Sequence, residues 1–181
     1  MIRFNYQEMY PNDEKVESLI NRAKSDSGLH GSELRMVHYM IGRRLGYELV
    51  KNVDIEDVVL MPLLTGAIPL AFGVGEVIDT KMIMVDLHHD MEFPEVKEET
   101  IILIDEVINS GQGILKIADH YSNEHRIILV TSAMPENSEA LNSPYDIYTF
   151  RVSKHRYIGA MVSERKGNKG PDTAARLYSL L

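Results

Sequence analysis

The sequence contains no cysteine among its 181 residues. That one absence excludes disulfide bridges, thiol nucleophiles and thiolate metal sites. A reducing cytosol is the simplest compartment for such a chain, so a cytoplasmic location is expected. Basic residues are also scarce. Lysine and arginine total 19 against 27 aspartates and glutamates, a formal net charge of −8. A free cationic surface for nucleic acid is therefore not expected. The pairs Arg43–Arg44 and Arg165–Lys166 could gather into a local cationic pocket, but solvated surface is their ordinary reading. A signal peptide is not expected either, because "MIRFNYQEMYPNDEK" has neither an apolar core nor a small-residue cleavage site. One stretch, residues 58–75 (VVLMPLLTGAIPLAFGVG), approaches membrane-spanning length without a charge. Pro62 and Pro69 interrupt it, Thr65-Gly66 suits a turn, and no basic flank anchors it. It reads as strand, turn and helix, and no membrane span is expected.

What is present points to a single domain over residues 1–181. The hydrophobic fraction is 44%, with no repeat and no low-complexity tract. Residues 13–24 suit a short helix capped by Asn12 or Asp13. Residues 32–50 suit a longer one, capped by Ser32. There Leu34, Val37, Ile41, Leu45 and Leu49 recur at spacings of three and four. After that the rhythm changes. Strands are expected at 57–62, 81–86, 100–105, 126–132 and 145–150. Helices are expected at 67–78, 111–121 and 135–142, the last with proline in its first turn, and the C-terminal GPDTAARLYSLL should end helical. Tyr145, Tyr148 and Tyr157 read as core or sheet-edge residues. Strands apolar on both faces and separated by helices imply an α/β fold: a parallel twisted sheet flanked by helices. Such sheets place ligands beyond the carboxyl ends of their strands. The turns after residues 62, 86, 105 and 132 are therefore where chemistry belongs.

The segment "IILIDEVINSGQG", residues 101–113, carries the strongest signal. A buried strand runs into Asp105 and Glu106. Two neighbouring carboxylates suit the adjacent hydroxyls of a sugar, a developing positive charge, or a divalent cation. Asn109, Ser110, Gly111, Gln112 and Gly113 follow, and then a helix start. Free N–H groups at a helix start bind phosphate, and glycine lets the backbone approach it. A sugar-diol site beside a phosphate site fits a ribose 5-phosphate. The segment is not a P-loop, because no Gly-Lys-Ser/Thr follows. It also lacks the G-x-G-x-x-G spacing of a dinucleotide fingerprint. His88-His89-Asp90 invites a metal reading, but adjacent histidines on an extended chain point apart and rarely chelate one ion.

The same segment resembles the motif by which type I phosphoribosyltransferases bind phosphoribosyl pyrophosphate (PRPP). The flanks resemble the uracil phosphoribosyltransferase branch: SELRMVHYMIGRRLGYELV, VVLMPLLTGAIPLAFGV, RIILVTSAMPENSEAL, YDIYTFRVSKHRYIG and GPDTAARLY. The likeness covers about residues 32–181. It leaves 1–31 as an N-terminal extension and implies a small base-binding hood over 151–181. It also implies roles. Asp105 and Glu106 would contact the ribose hydroxyls as the catalytic pair. Val107, Ile108, Asn109, Ser110, Gly111, Gln112 and Gly113 would hold the 5-phosphate. Leu64, Thr65 and Gly66 would form the pyrophosphate loop, often with a cis peptide, helped by a cation such as Arg35. Ile158, Gly159 and Asp172 would lie near the base. Magnesium would be held at Asp105 and Asp172, and residues 87–99 would fill the slot of a closing loop. The implied partners are PRPP and a nucleobase, in pyrimidine salvage, and the implied assembly is a homodimer.

The chain departs from the uracil branch in three places. Thr65 stands where that branch has an arginine, so Arg35, Arg43 or Lys81 would have to replace its clamp on phosphate. Glu106 stands where that branch has proline. In the hood, GNKGPDTAAR keeps Asp172 and Arg176 but has Ala175 at the second acid. Thr65 and Ala175 motivate an alternative on the same fold, a non-catalytic regulator that senses PRPP or a nucleotide. A third reading keeps the transfer reaction with another acceptor, such as a modified base or a non-base amine.

Overall fold

The computed structural model describes residues 1–86, 93–154 and 173–179. The chain begins with strand β1 (Arg3–Asn5), helix α1 (Tyr6–Met9), helix α2 (Glu14–Ala23) and helix α3 (Gly31–Asn52). Strand β2 (Val58–Pro62), helix α4 (Ile68–Val77), strand β3 (Thr100–Val107) and helix α5 (Gln112–Tyr121) follow. Strands β4 (Arg126–Pro135), β5 (Asp146–Thr149) and β6 (Val152–Ser153) and the short helix α6 (Thr173–Leu177) complete the described chain. The strands lie in the order β1-β5-β4-β3-β2, every pair parallel, and β6 pairs with the far end of β4.

The alternation of side chains along β3 sorts the core into two layers. Ile102 and Ile104 face α2, α3 and α4 with Leu60, Leu70 and the α3 stripe. Ile101 and Leu103 face α5 with Val59, Ile114 and Ile117. The stripe expected on α3 is the buried one: Leu34, Val37, Ile41, Leu45 and Leu49 are all within 1% of complete burial. Helices α3 and α4 touch backbone to backbone. A Cβ on Gly42 would lie 2.1 Å from the Leu70 carbonyl oxygen, and one on Gly73 would lie 2.0 Å from that of Tyr39. Only glycine allows this approach.

Asp13 caps α2 as expected, accepting from the Lys15 and Val16 N–H groups. Several other expectations need correction. Helix α3 starts at Gly31, with His30 at its N-cap and Ser32 already inside, because Gly31 at φ 58° makes the turn into the helix. Residues 81–86 form no strand; they touch β2 only at the bridges Leu60↔Met82 and Leu63↔Val85. The ladder breaks because Pro62 has no N–H to donate between them, although its carbonyl still accepts from Val85. Nor do residues 135–142 form an α-helix. Pairing with β6 keeps β4 extended through Pro135, and only Glu139–Asn142 turns, as a 3₁₀ helix.

Strand β1 had no signal in the sequence, being only three residues long. It is held from outside: the Ile2 N–H donates to Asp146 Oδ1 at 2.6 Å, Arg126 reaches Asp146 Oδ2 at 2.8 Å, and the Arg3 guanidinium donates to the Tyr145 and Ser143 carbonyls. Tyr145 and Tyr148 are buried, as expected; Tyr157 lies outside the described residues.

Candidate active site

At the carboxyl edge of the sheet, β3 does not end before the acid pair. It continues through Asp105 and Glu106 to Val107, with Asp105 opposite Thr131 and Val107 opposite Ala133 on β4. The two carboxylates therefore leave opposite faces of one strand. Both residues are half-buried. Glu106 falls on the α4 side, where its carboxylate lies against Gly66. A Cβ on Gly66 would sit 2.1 Å from Glu106 Oε1, so the turn after β2 and the acid pair meet too closely for a side chain unless the carboxylate moves. The Ser132 hydroxyl donates to the Glu106 carbonyl and ties this strand end to β4.

Beyond Val107 the chain turns at once. Ile108 is buried, and its N–H donates to the Ala133 carbonyl at 3.1 Å. Gly111 has φ 90°, where a side chain is strained, and a Cβ there would meet Ala140 N at 2.8 Å and Ser138 Oγ at 3.3 Å. The 3₁₀ turn after β4 thus backs the loop. The Glu139 N–H donates to the Ser110 carbonyl at 2.9 Å, and Gln112 Nε2 donates to Glu139 Oε1 at 3.3 Å. The Gln112 N–H donates to Ser110 Oγ at 3.3 Å. Gly113 lies in the first turn of α5. Among the described residues, the N–H groups of Asn109, Ser110 and Gly111 donate to no backbone carbonyl. Among the described residues, buried Asn109 Oδ1 and Ser138 Oγ have no hydrogen-bond partner. Ordinary folds rarely leave such groups bare. A cluster of idle amides at the start of a ten-residue helix is a preformed anion cradle.

The turn after β2 supplies a second cradle. The Leu64–Thr65 peptide is cis. Leu63 N–H donates to Ile104 O at 2.9 Å and Leu64 N–H to Val85 O at 2.8 Å, so the turn is clamped on both sides. The N–H groups of Thr65 and Gly66 donate to no backbone carbonyl among the described residues. Thr65 is exposed, and its carbonyl accepts the Tyr178 hydroxyl at 2.7 Å. Burial pushes the Tyr178 phenol up from its ordinary value; the Glu106 carboxylate adds to that shift and the Arg35 guanidinium opposes it.

Of the cations named from the sequence, Arg43 and Lys81 pair with acids, whereas Arg35 spends one of its five donors on the C-terminal segment and keeps its charge beside Tyr178. Arg35 Nη1 donates to the Leu177 carbonyl at 2.6 Å. Arg43 pairs with Glu76 at 3.4 Å, and Lys81 with Glu98 at 3.1 Å. Arg44 pairs with Asp13, so the Arg43–Arg44 pocket does not form. Ile158, Gly159 and Asp172, the histidine pair and the Arg165–Lys166 pair lie outside the described residues. Among the described residues no group of three or more His, Asp or Glu side chains is placed to hold a metal ion. No described helix is long and apolar enough to cross a membrane. Sequence reasoning missed Tyr178, Ser132 and the 3₁₀ turn behind the loop at 108–111. The turn's Ser138 and Glu139 had a usable signal in their place just after the β4 strand end. Tyr178 had none, because its contact spans 113 residues of sequence.

No protein-family model matches the chain, and no curated protein matches it in sequence. Solved structures do match in fold. A protein from Aquifex aeolicus is 17% identical with a TM-score of 0.69, covering 99% of both chains. The xanthine-guanine-hypoxanthine phosphoribosyltransferase of Helicobacter pylori is 12% identical with a TM-score of 0.54, covering 71% of this chain and 88% of that one. A Neisseria gonorrhoeae protein with bound ppGpp is 9% identical with a TM-score of 0.54, covering 75% and 89%. The parallel sheet flanked by helices is the type I phosphoribosyltransferase-like α/β fold.

Proposed function

We propose that this protein transfers phosphoribose from PRPP to a nucleobase, uracil or another pyrimidine, and releases pyrophosphate. The observation that carries this reading is the arrangement at one sheet edge: an acid pair flanked by two cradles of idle amides, one at Asn109–Gly111 and one at Thr65–Gly66. PRPP has the matching parts: a ribose diol, a 5-phosphate and a pyrophosphate on the anomeric carbon. Asn109, Ser110 and Gly111 would hold the 5-phosphate, and Thr65 and Gly66 the leaving pyrophosphate. Asp105 and Glu106 would orient the ribose. Cleavage at the anomeric carbon builds positive charge on the sugar ring, as in glycoside cleavage, and two fixed carboxylates stabilise it.

A magnesium ion fits the donor set in the way this small cation prefers. It takes one or two protein carboxylates, here Asp105 with Asp172 as its candidate companion, and completes its shell with water and substrate oxygens. Such an ion, when bound, neutralises charge on the leaving pyrophosphate. The base would meet Ile158, Gly159 and Asp172. A homodimer is supported by α3, where Met36, Met40, Tyr47 and Val50 stand exposed beside the exposed Phe72 of α4. With no cysteine to oxidise, a cytoplasmic setting suits this chemistry.

The test is titration calorimetry with PRPP, with and without magnesium, followed by an assay against a panel of bases. Magnesium-dependent binding is expected. The double variant Asp105→Asn, Glu106→Gln should abolish transfer while keeping the wild-type melting temperature, because strand-end carboxylates are not core. Full activity in that variant would refute the assignment.

A second reading, a non-catalytic sensor of PRPP or a nucleotide, is favoured by one fact. Thr65 occupies the position of the branch's arginine, and Arg43 and Lys81 are paired with Glu76 and Glu98. Tight PRPP binding with no turnover on any base would select it. Steady turnover with any base would eliminate it.

A further inference from the structure

The described C-terminal residues lie as a strap across the junction of α2 and α3. Arg176 is 3% exposed and anchors it. Its Nη2 donates to the Lys24 and Leu29 carbonyls at 3.0 Å each and to Ser27 Oγ at 3.2 Å, while Nη1 reaches the Ala23 carbonyl at 3.4 Å. The next residue, Leu177, is fully buried, and its carbonyl is gripped by Arg35. Two residues on, Ser179 Oγ lies so close to Gly31 that a Cβ there would stand 2.8 Å from it. Three of four consecutive positions are thus fixed on the body of the protein. Tyr178, between them, is held with its hydroxyl on the Thr65 carbonyl.

That contact has a directional consequence. The carbonyl of one residue and the N–H of the next share one rigid plane and point in opposite directions across a trans peptide. The Thr65 carbonyl accepts from Tyr178 at 2.7 Å and from the Ile68 N–H at 3.4 Å, so the shorter bond is the one that holds it. Pinning that oxygen also pins the Gly66 N–H, one of the idle donors beside Glu106. We infer that Tyr178 is a positioning residue, whose phenol sets the Thr65–Gly66 peptide plane and so presents the Gly66 N–H to the pyrophosphate group. The anchor for this contact is the Arg176 latch on residues 23–29. The inference rests on the reading of Leu64–Gly66 as the pyrophosphate turn.

The test compares wild type and Tyr178→Phe by titration calorimetry with two probes. One is inorganic pyrophosphate with magnesium; the other is ribose 5-phosphate, which engages the Asn109–Gly111 cradle. The substitution removes one hydroxyl and keeps the ring. Pyrophosphate should bind about threefold to tenfold more weakly, the range of one neutral hydrogen bond. Ribose 5-phosphate affinity and the melting temperature should not change. Equal pyrophosphate affinity in the two proteins overturns the inference alone. So does an equal loss for both probes, or a variant that does not fold, since either would make the hydroxyl a general element of the fold. A wild type that binds ribose 5-phosphate but not pyrophosphate refutes the assignment of the turn itself, and the inference falls with it.

Discussion

Gly66, in the turn after β2, and Glu106, near the end of β3, meet at one point, and that point can be tested by itself. In Gly66→Ala the new methyl carbon would start 2.1 Å from Glu106 Oε1 and 2.2 Å from its Cδ. No carbon tolerates such distances, so something must move. The atoms in the way are the end of a flexible side chain, so the carboxylate swings aside and the backbone stays. Overpacking of a fixed core costs about 1–3 kcal/mol, and this collision belongs near the lower end, at about 1 kcal/mol. Urea denaturation should show the loss as a lower midpoint at unchanged slope. In a Glu106→Ala background the obstacle is gone, and the same substitution should cost less than about 0.5 kcal/mol. The cycle therefore closes with a coupling of about the full single-mutant cost. Function should suffer more than stability. Under the proposed transfer reaction, an acid displaced by about 1 Å from the reacting sugar loses on the order of a hundredfold in rate, and kcat/KM for PRPP should fall by that much in Gly66→Ala. Additive stabilities, or an undiminished kcat/KM, would refute the contact between turn and acid as the organising feature of the site.

Two further outcomes are expected. His38 is buried on α3, neither ring nitrogen has a partner among the described residues, and burial, aided by the Arg176 charge, pushes its pKa from 6.5 down to about 4. The unfolded chain takes up that proton near pH 6.5 and the folded chain only near pH 4, so stability is lost as pH falls through this window. The loss amounts to roughly 3 kcal/mol, so wild type should lose that much stability relative to His38→Leu between pH 7 and pH 4. A pH-independent difference would refute it. Gly73→Ala places a methyl 2.0 Å from the Tyr39 carbonyl oxygen, with backbone on both sides and nothing free to swing. It should cost about 3 kcal/mol or more, read as a melting-temperature drop, and far exceed Gly66→Ala.

The contrast between those two glycines also explains what the sequence could reveal. Segments whose environment is set by period alone were readable: the α3 stripe, β2, β3 and the helix start at Gln112. Their burial follows from hydrophobic spacing, and the turn into α5 from its glycines. Boundaries failed where pairing partners decide them. Pro62 broke the ladder at 81–86, and β6 pulled Pro135 into a strand. Neither effect can be seen without knowing which segment lies alongside. The acid pair was read correctly as belonging to the strand end, but the strand runs on past it, since backbone pairing with β4 does not stop where apolar residues do. Tyr178 and Ser132 escaped for the same reason: each acts on a carbonyl far away in sequence, and nothing in their own neighbourhood marks them.

The place of β1 carries a consequence for how the molecule is made. Arg3 pairs with Ile147 and Asn5 with Thr149, so β1 leaves a ribosome some 140 residues before the strand it pairs with. The β2, α4, β3, α5, β4 core can assemble meanwhile from contacts close in sequence, and loops that close late slow folding. The sheet is therefore built from its middle outward, and β1 is the last of its strands to be stitched on. Their bonds to Asp146 and to the Tyr145 and Ser143 carbonyls then act as the seam that joins the beginning of the chain to its last long strand pairing.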